Sequence, residues 1–163
     1  MKRLILILIL FNLINARDWV GLNSSKPANP VWDINQISDD FIEISYEMGG
    51  YFSKKLSDGK TQITFPESVP ILEEGSPQLP RIARSIIIPD DANMTLSIIE
   101  TKYVDIPIQN IEPSKGNLTR DINPDSVPYN YGDVYKEDVF YPSEISFMRD
   151  PYIMRSVRGQ TIV

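Results

Sequence analysis

The chain contains no cysteine and no histidine, and these two absences remove most of the chemistry a protein of this size can carry. No Ser-His-Asp triad, Cys-His dyad, thiolate site or imidazole metal site can be assembled from it. Carboxylates remain. Asp39/Asp40 and Asp90/Asp91 are the doublets from which a glycosidase-type acid/base pair or a calcium site would have to start. Neighbouring residues on a strand point to opposite faces, so neither doublet is a preformed pair, and solvated turn positions account for both. Arg149, Arg155 and Arg158 punctuate an otherwise acidic chain. Such a trio fits a solvated strand edge, where charge blocks edge-to-edge association; it also fits a recognition element. Tyr129, Tyr131, Tyr135, Phe140 and Tyr141 suit either a stacking platform for a sugar or partner chain, or a set of rings that pins a long loop. The sequons at Asn23, Asn93 and Asn117 carry meaning only in a eukaryotic secretory pathway. No cofactor and no metal is expected.

The first residues read as an export signal. Lys2 and Arg3 precede the apolar run Leu4 to Phe11, and Ala16 supplies a small residue for cleavage before Arg17. The run falls short of the roughly 20 residues a bilayer span needs; the alternatives are a retained anchor or a buried first helix. Of 16 basic residues, two lie in residues 1–16 and none of the 22 acids does. The mature chain therefore holds 14 basic against 22 acidic residues, a net charge of −8. That balance repels phosphate backbones, so no nucleic-acid partner is expected, and no further apolar segment suggests a membrane partner for the mature form. An exported chain without cysteine gains its stability from packing rather than disulfides, which favours a bacterial origin. About 145 mature residues suffice for one domain.

The elements that must position these groups are strands. Residues 17–36 read as an irregular arm, with Trp19, Val31 and Trp32 as docking points, and residues 37–163 as the domain proper. Ile42, Ile44, Tyr46 and Met48 alternate with polar residues at period two. Asp58-Gly59 between Tyr51–Leu56 and Lys60–Phe65 predicts a hairpin with a two-residue type I′ turn, both central residues at positive φ. Further strands are predicted over Ile82–Ile88, Met94–Thr101, Tyr103–Ile108, Val139–Tyr141, Ile145–Met148, Ile153–Val157 and Gln160–Val163. Residues 109–138 lack periodicity, and loops of that length tend to be functional or to wrap a surface. With 13 prolines and no helical pattern outside the signal, the fold class is all-β: an antiparallel sandwich or open barrel. The strand begun at Gln160 has nothing to end it, so a C-terminally truncated domain is expected.

The stretch from Glu74 to Pro89 is the most specific. Gly75 can adopt positive φ, while Pro77 and Pro80 push Ser76 and Leu79 toward extended conformations. Ile86, Ile87 and Ile88 then fit a strand buried on both faces, closed by Pro89. Gly75-x-Pro77-x-Leu79-Pro80 followed by this strand, Phe140-Tyr141-Pro142, and Arg155-Ser-Val-Arg158-Gly159 leading into Thr161-Ile162-Val163 resemble, in order and spacing, the N-terminal propeptide of gingipain-type cysteine peptidases, clan CD family C25. The resemblance spans roughly residues 40–163. It implies a β-sandwich prodomain that keeps a secreted zymogen latent and assists its folding, and a downstream catalytic domain in cis as its partner. Export across the inner membrane of a Gram-negative bacterium follows, to the periplasm, medium or cell surface. In arginine-specific members an arginine of the prodomain enters the S1 pocket, a part for which Arg149, Arg155 and Arg158 are the candidates. This chain itself is expected to catalyse nothing. The competing reading is a free-standing secreted β-sandwich for binding or adhesion.

Overall fold

The computed structural model describes residues 17–108 and 110–163; the expected export signal and its expected cleavage position at Ala16 lie outside them. The described chain is almost entirely β. Ten strands run in chain order: β1 Asp18–Gly21, β2 Val31–Ser38, β3 Phe41–Glu47, β4 Gly50–Lys55, β5 Thr61–Thr64, β6 Val69–Pro70, β7 Pro80–Arg81, β8 Arg84–Ile87, β9 Tyr152–Met154 and β10 Val157–Ile162. Two single 3-10 turns, Pro124–Ser126 and Asp133–Tyr135, are the helical elements among the described residues. Among the described residues the pairings between these strands are antiparallel, and Thr61 of β5 also makes an isolated parallel bridge to Ile111.

The chain divides into two compact units. One comprises the described residues within Met1–Glu67 and Gln109–Ile111; the other comprises Ser68–Ile108 and Glu112–Val163. In the first, the sheet β1-β4-β5 and the ribbon β2-β3 carry the alternating patterns. Ile42, Ile44 and Tyr46 are half-buried while their neighbours on β3 are exposed, as period two requires. The segment read as an irregular arm is structured. Trp19 on β1 packs edge-on against Phe52 at 5.0 Å, and its indole N–H donates to the Ser24 carbonyl at 3.0 Å. Trp32 on β2 meets Tyr46 at 4.7 Å across the ribbon, in register with it.

The Asp58-Gly59 hairpin joins β4 to β5, but with a different turn from the one expected. Gly59 has φ 82°, whereas among the described residues the non-glycine positive angles belong to Glu67, Asn110 and Arg155. Gly59 N–H donates to the Leu56 carbonyl at 3.0 Å and Leu56 N–H to the Lys60 carbonyl at 2.8 Å. This is a three-residue loop ending in a left-handed glycine, which needs one positive φ instead of two. Asp58 contributes through its carboxylate, which accepts from Lys60 N–H at 3.1 Å and from the Lys60 ammonium at 2.6 Å.

In the second unit, β8-β10-β9 form a sheet and β6-β7 a short ribbon. Ile88 is buried at 5% exposure, but Ile87 is 74% exposed; the Ile86–Ile88 run is not buried on both faces. Residues 94–101 and 103–108 form no strand. The predicted Ile153–Val157 strand is broken by a two-residue turn at Arg155-Ser156, with Arg155 at φ 58°. Val139–Tyr141 and Ile145–Met148 are likewise not strands, though Met148 bridges Ile162. Pro113 and Ser114 are fully buried, and the polar Glu112, Gln160 and Ser76 nearly so.

Candidate functional site

The turn at Gly75 organises the second unit. Ser76 N–H donates to the Glu73 carbonyl at 3.2 Å, with Gly75 third in the turn at φ 81°, the position where a type II turn demands glycine. From there the extended segment Gly75–Gln78, with φ restricted at Pro77, pairs backbone to backbone with Glu112–Ser114. Gly75 N–H donates to the Ser114 carbonyl at 2.9 Å, Ser114 N–H to the Ser76 carbonyl at 2.8 Å, and Gln78 N–H to the Glu112 carbonyl at 2.9 Å. On the other side of Gly75, Gly132 N–H donates to its carbonyl at 2.8 Å. Leu79 and Pro80 continue the same path: the Leu79 carbonyl accepts from Ile71 N–H at 2.8 Å, and Pro80 opens β7 opposite Pro70.

Side chains of the aromatic group gather on this scaffold. The buried Glu112 carboxylate accepts from Gln78 Nε2 at 3.1 Å and from the Tyr129 hydroxyl at 3.1 Å. Tyr131 and Tyr135 pack edge to face at 5.0 Å. Desolvation, with smaller contributions from Tyr131, Glu112 and Tyr141, pushes the Tyr135 hydroxyl up to about 12. Tyr141, whose peptide bond to Pro142 is cis, donates its hydroxyl to Glu73 at 3.0 Å. Tyr129 and Tyr141 thus bond acidic groups of the scaffold, the pinning role. Phe140 is the exception, projecting at 96% exposure.

The residues between Gly116 and Asn123 leave this scaffold as an anchored loop. At its start, Gly116 has φ 81° and donates its N–H to the buried Ser114 hydroxyl at 3.2 Å. At its end, Asn123 Oδ1 caps the 3-10 turn by accepting from Asp125 N–H at 3.0 Å, and Ser126 Oγ donates to the Asn123 carbonyl at 2.7 Å. Lys115 closes the base: its ammonium donates to the Pro124 carbonyl at 2.7 Å and lies 4.4 Å from the centroid of the Tyr129 ring. The loop turns back on itself where Ile122 N–H donates to the Thr119 carbonyl at 3.1 Å. Arg120 is the first corner of that turn, exposed and without an ion pair among the described residues. A hydrogen bond from Thr119 holds the Asp121 carboxyl below its usual range.

The three arginines singled out by sequence do not form one cluster. Arg149 N–H donates to the Thr161 carbonyl and its own carbonyl accepts from Gln160 Nε2 at 3.0 Å, fixing its backbone while its side chain is exposed. Arg155 is exposed at the opposite end of the β9-β10 hairpin, about 15 Å away by strand rise. Arg158 is committed to structure: Nη1 donates to the Asp90 carbonyl at 2.7 Å and Nη2 to Asn93 Oδ1 at 3.4 Å. Arg120 is not among the three. Its sequence signal was an arginine in the middle of the long aperiodic segment between Gly116 and Pro124. Asp39/Asp40 sit in the turn between β2 and β3, and Asp90/Asp91 in the turn after β8; among the described residues no group of three or more acidic side chains is placed to hold a metal ion. Arg17, the expected new N-terminus, is exposed.

Comparison with known proteins places this geometry. The family model Propeptide_C25 matches residues 35–163. Gingipain R2 of Porphyromonas gingivalis is 34% identical over 149 residues, covering 87% of this chain, and gingipain R1 of the same organism is 37% identical over 105 residues, covering 64%. The chain spans 20% of the length of the first and 11% of the second. The structure described as a complex of P. gingivalis RgpB pro- and mature domains superposes with a TM-score of 0.71 at 34% identity, covering 83% of this chain and 72% of that one. A structure bearing on zymogenic latency of gingipain K from the same organism gives a TM-score of 0.66 at 18% identity, covering 90% of this chain and 84% of that one, a likeness of fold.

Proposed function

This chain belongs to the Propeptide_C25 family, and on that premise we propose that it holds a secreted gingipain-like cysteine endopeptidase latent and assists its folding, with the catalytic domain as its partner in cis. The observation that carries this reading is the match to a pro-domain described in complex with its mature domain, at 34% identity over 83% of this chain. The family favours it over a free-standing adhesion module. Having no cysteine, the propeptide contributes no thiolate to the reaction; it acts by occupying the cleft of the domain that does.

Arg120 is the side chain best placed to enter that cleft. An inhibitory residue must be exposed, unpaired and held on a backbone stiff enough that binding does not first have to order it. Among the described residues Arg120 meets these conditions, at the corner of an anchored loop. Arg149 and Arg155 remain exposed alternatives, whereas Arg158 is occupied by Asp90 and Asn93. Export precedes this role, with cleavage between Ala16 and Arg17; Edman sequencing of the exported protein should begin at Arg17, and a start at Met1 contradicts it. The inhibitory role is tested by producing the catalytic domain with and without this chain supplied in trans. The expected result is more folded peptidase in its presence, inactive until the propeptide is degraded. Equal yield and activity in both preparations contradicts the proposal.

A further inference from the structure

We propose that Lys115 is a positioning residue for Arg120, a clasp that shuts the base of the loop and fixes the direction in which the arginine is presented. The inference rests on the reading of Arg120 as the cleft-entering residue. Lys115 lies just outside the loop, between the fully buried Ser114 and the left-handed Gly116. Its ammonium reaches across to the Pro124 carbonyl at 2.7 Å, joining residues nine apart in sequence, while its charge sits over the face of Tyr129 at 4.4 Å. A cation so placed is drawn to the negative face of the ring.

The ring is itself held, because the Tyr129 hydroxyl donates to the buried Glu112 carboxylate at 3.1 Å. Glu112 is tied in turn to Gln78, beside the Gly75 turn. A surface lysine that merely keeps a protein soluble has no reason to be engaged from two sides. Without the ammonium, Pro124 loses a charge-assisted hydrogen bond, and the remaining bonds of Ser114 and Asn123 each hold one end of the loop without joining the two. The turn at Thr119–Ile122 would then be free to swing and to open.

Lys115→Met keeps the length and apolar stem of the side chain and removes the charge; Lys115→Arg keeps a cation that can reach a carbonyl and stack on a ring. The full chain is digested with an endopeptidase that cuts on the N-terminal side of aspartate, for which neither methionine nor arginine at position 115 adds a site, and the Arg120–Asp121 cut is timed by mass spectrometry. Inhibition of the cognate catalytic domain is measured on the same proteins, with thermal melting as a check on folding. Opening of the loop exposes the bond in proportion to the open population, so Lys115→Met should be cut about tenfold faster or more, at an unchanged melting temperature. It should inhibit correspondingly more weakly, with Lys115→Arg restoring most of both.

A wild-type rate of cutting in a folded Lys115→Met protein overturns the clasp. Faster cutting with unchanged inhibition overturns its role in presenting Arg120. If Lys115→Met lowers the melting temperature, Lys115→Arg decides: recovery of slow cutting supports the clasp, and its absence refutes it. Failure of the underlying reading shows differently, as full inhibition by Arg120→Ala, and leaves the cutting rates to judge the clasp alone.

Discussion

Gly75 and Gly132 meet backbone against backbone. Gly132 N–H donates to the Gly75 carbonyl at 2.8 Å, and a Cβ on Gly75 would stand 3.2 Å from the Gly132 nitrogen. A Cβ on Gly132 would stand 3.0 Å from the Gly75 carbonyl oxygen. Two glycines 57 positions apart in number thus allow the turn before β7 and the Tyr129–Tyr135 segment to touch without a side chain between them.

Replacing Gly75 with alanine combines a disfavoured φ of 81° with that crowding. The left-handed conformation alone costs about 1–2 kcal/mol for a residue with a Cβ. Gly75→Ala should therefore destabilise by about 2 kcal/mol or more, and Gly132→Ala, whose φ of −71° is ordinary, by less. Urea unfolding of the two variants checks the order; the reverse order contradicts the contact.

Adjacent isoleucines should behave oppositely. Ile88→Ala removes a buried side chain and should cost about 2–4 kcal/mol. Ile87→Thr changes one that is 74% exposed and should stay within about 0.5 kcal/mol. Chemical denaturation measures both, and equal losses contradict the one-sided burial of the Ile87-Ile88 pair.

At Gly59 the only obstacle to a side chain is the backbone angle, since a Cβ there meets nothing within 4 Å. Gly59→Val should cost about 1 kcal/mol or more, because a β-branched residue is strained at φ 82°. Gly59→Asn, which tolerates the left-handed region, should cost less. An unchanged melting temperature for Gly59→Val contradicts the turn.

These cases show what sequence can and cannot convey. The Asp58-Gly59 hairpin is a local device, so the hairpin was legible; its turn type was not, because whether Asp58 also needs positive φ depends on how the flanking strands close. The Gly75–Pro80 turn was legible for the same reason, its angles being set by glycine and proline. β2 was hidden by the Asn- and Pro-rich residues before it, and becomes a strand through pairing with β3, where Ile34 faces Ile44. Residues 94–108 carry strand-forming types, yet no neighbour among the described residues supplies a ladder, and β propensity is chiefly a fit to neighbours. Arg120 lies in a polar, aperiodic stretch, where an arginine carries no pattern that sets it apart. What distinguishes it is the anchoring of its loop by Ser114, Lys115 and Asn123, which only the folded chain reveals.

Alkaline pH should loosen the tyrosine group. Burial pushes the Tyr135 hydroxyl up to about 12 in the folded chain from its ordinary 10.0, and those of Tyr46 and Tyr141 are also raised, in each case mainly by burial. The unfolded state therefore loses its protons first. This part of the stability is fully present below pH 10 and is lost as pH rises toward about 12. An ultraviolet phenolate titration should show a late-titrating component that shrinks in Tyr135→Phe; titration of every tyrosine as a free phenol contradicts the packing.

The role proposed for this propeptide is to silence a cysteine peptidase by offering Arg120 to its cleft. Its most direct test is titration of the cognate catalytic domain with the wild-type chain and with Arg120→Ala, reading residual peptidase activity. The wild type should inhibit saturably with one propeptide per catalytic domain. A central anchor of an interface is worth about 2 kcal/mol or more, so Arg120→Ala should weaken inhibition by about thirtyfold or more, while Arg149→Ala and Arg155→Ala change it little. Full peptidase activity in an excess of the wild-type chain, or undiminished inhibition by Arg120→Ala, contradicts the account.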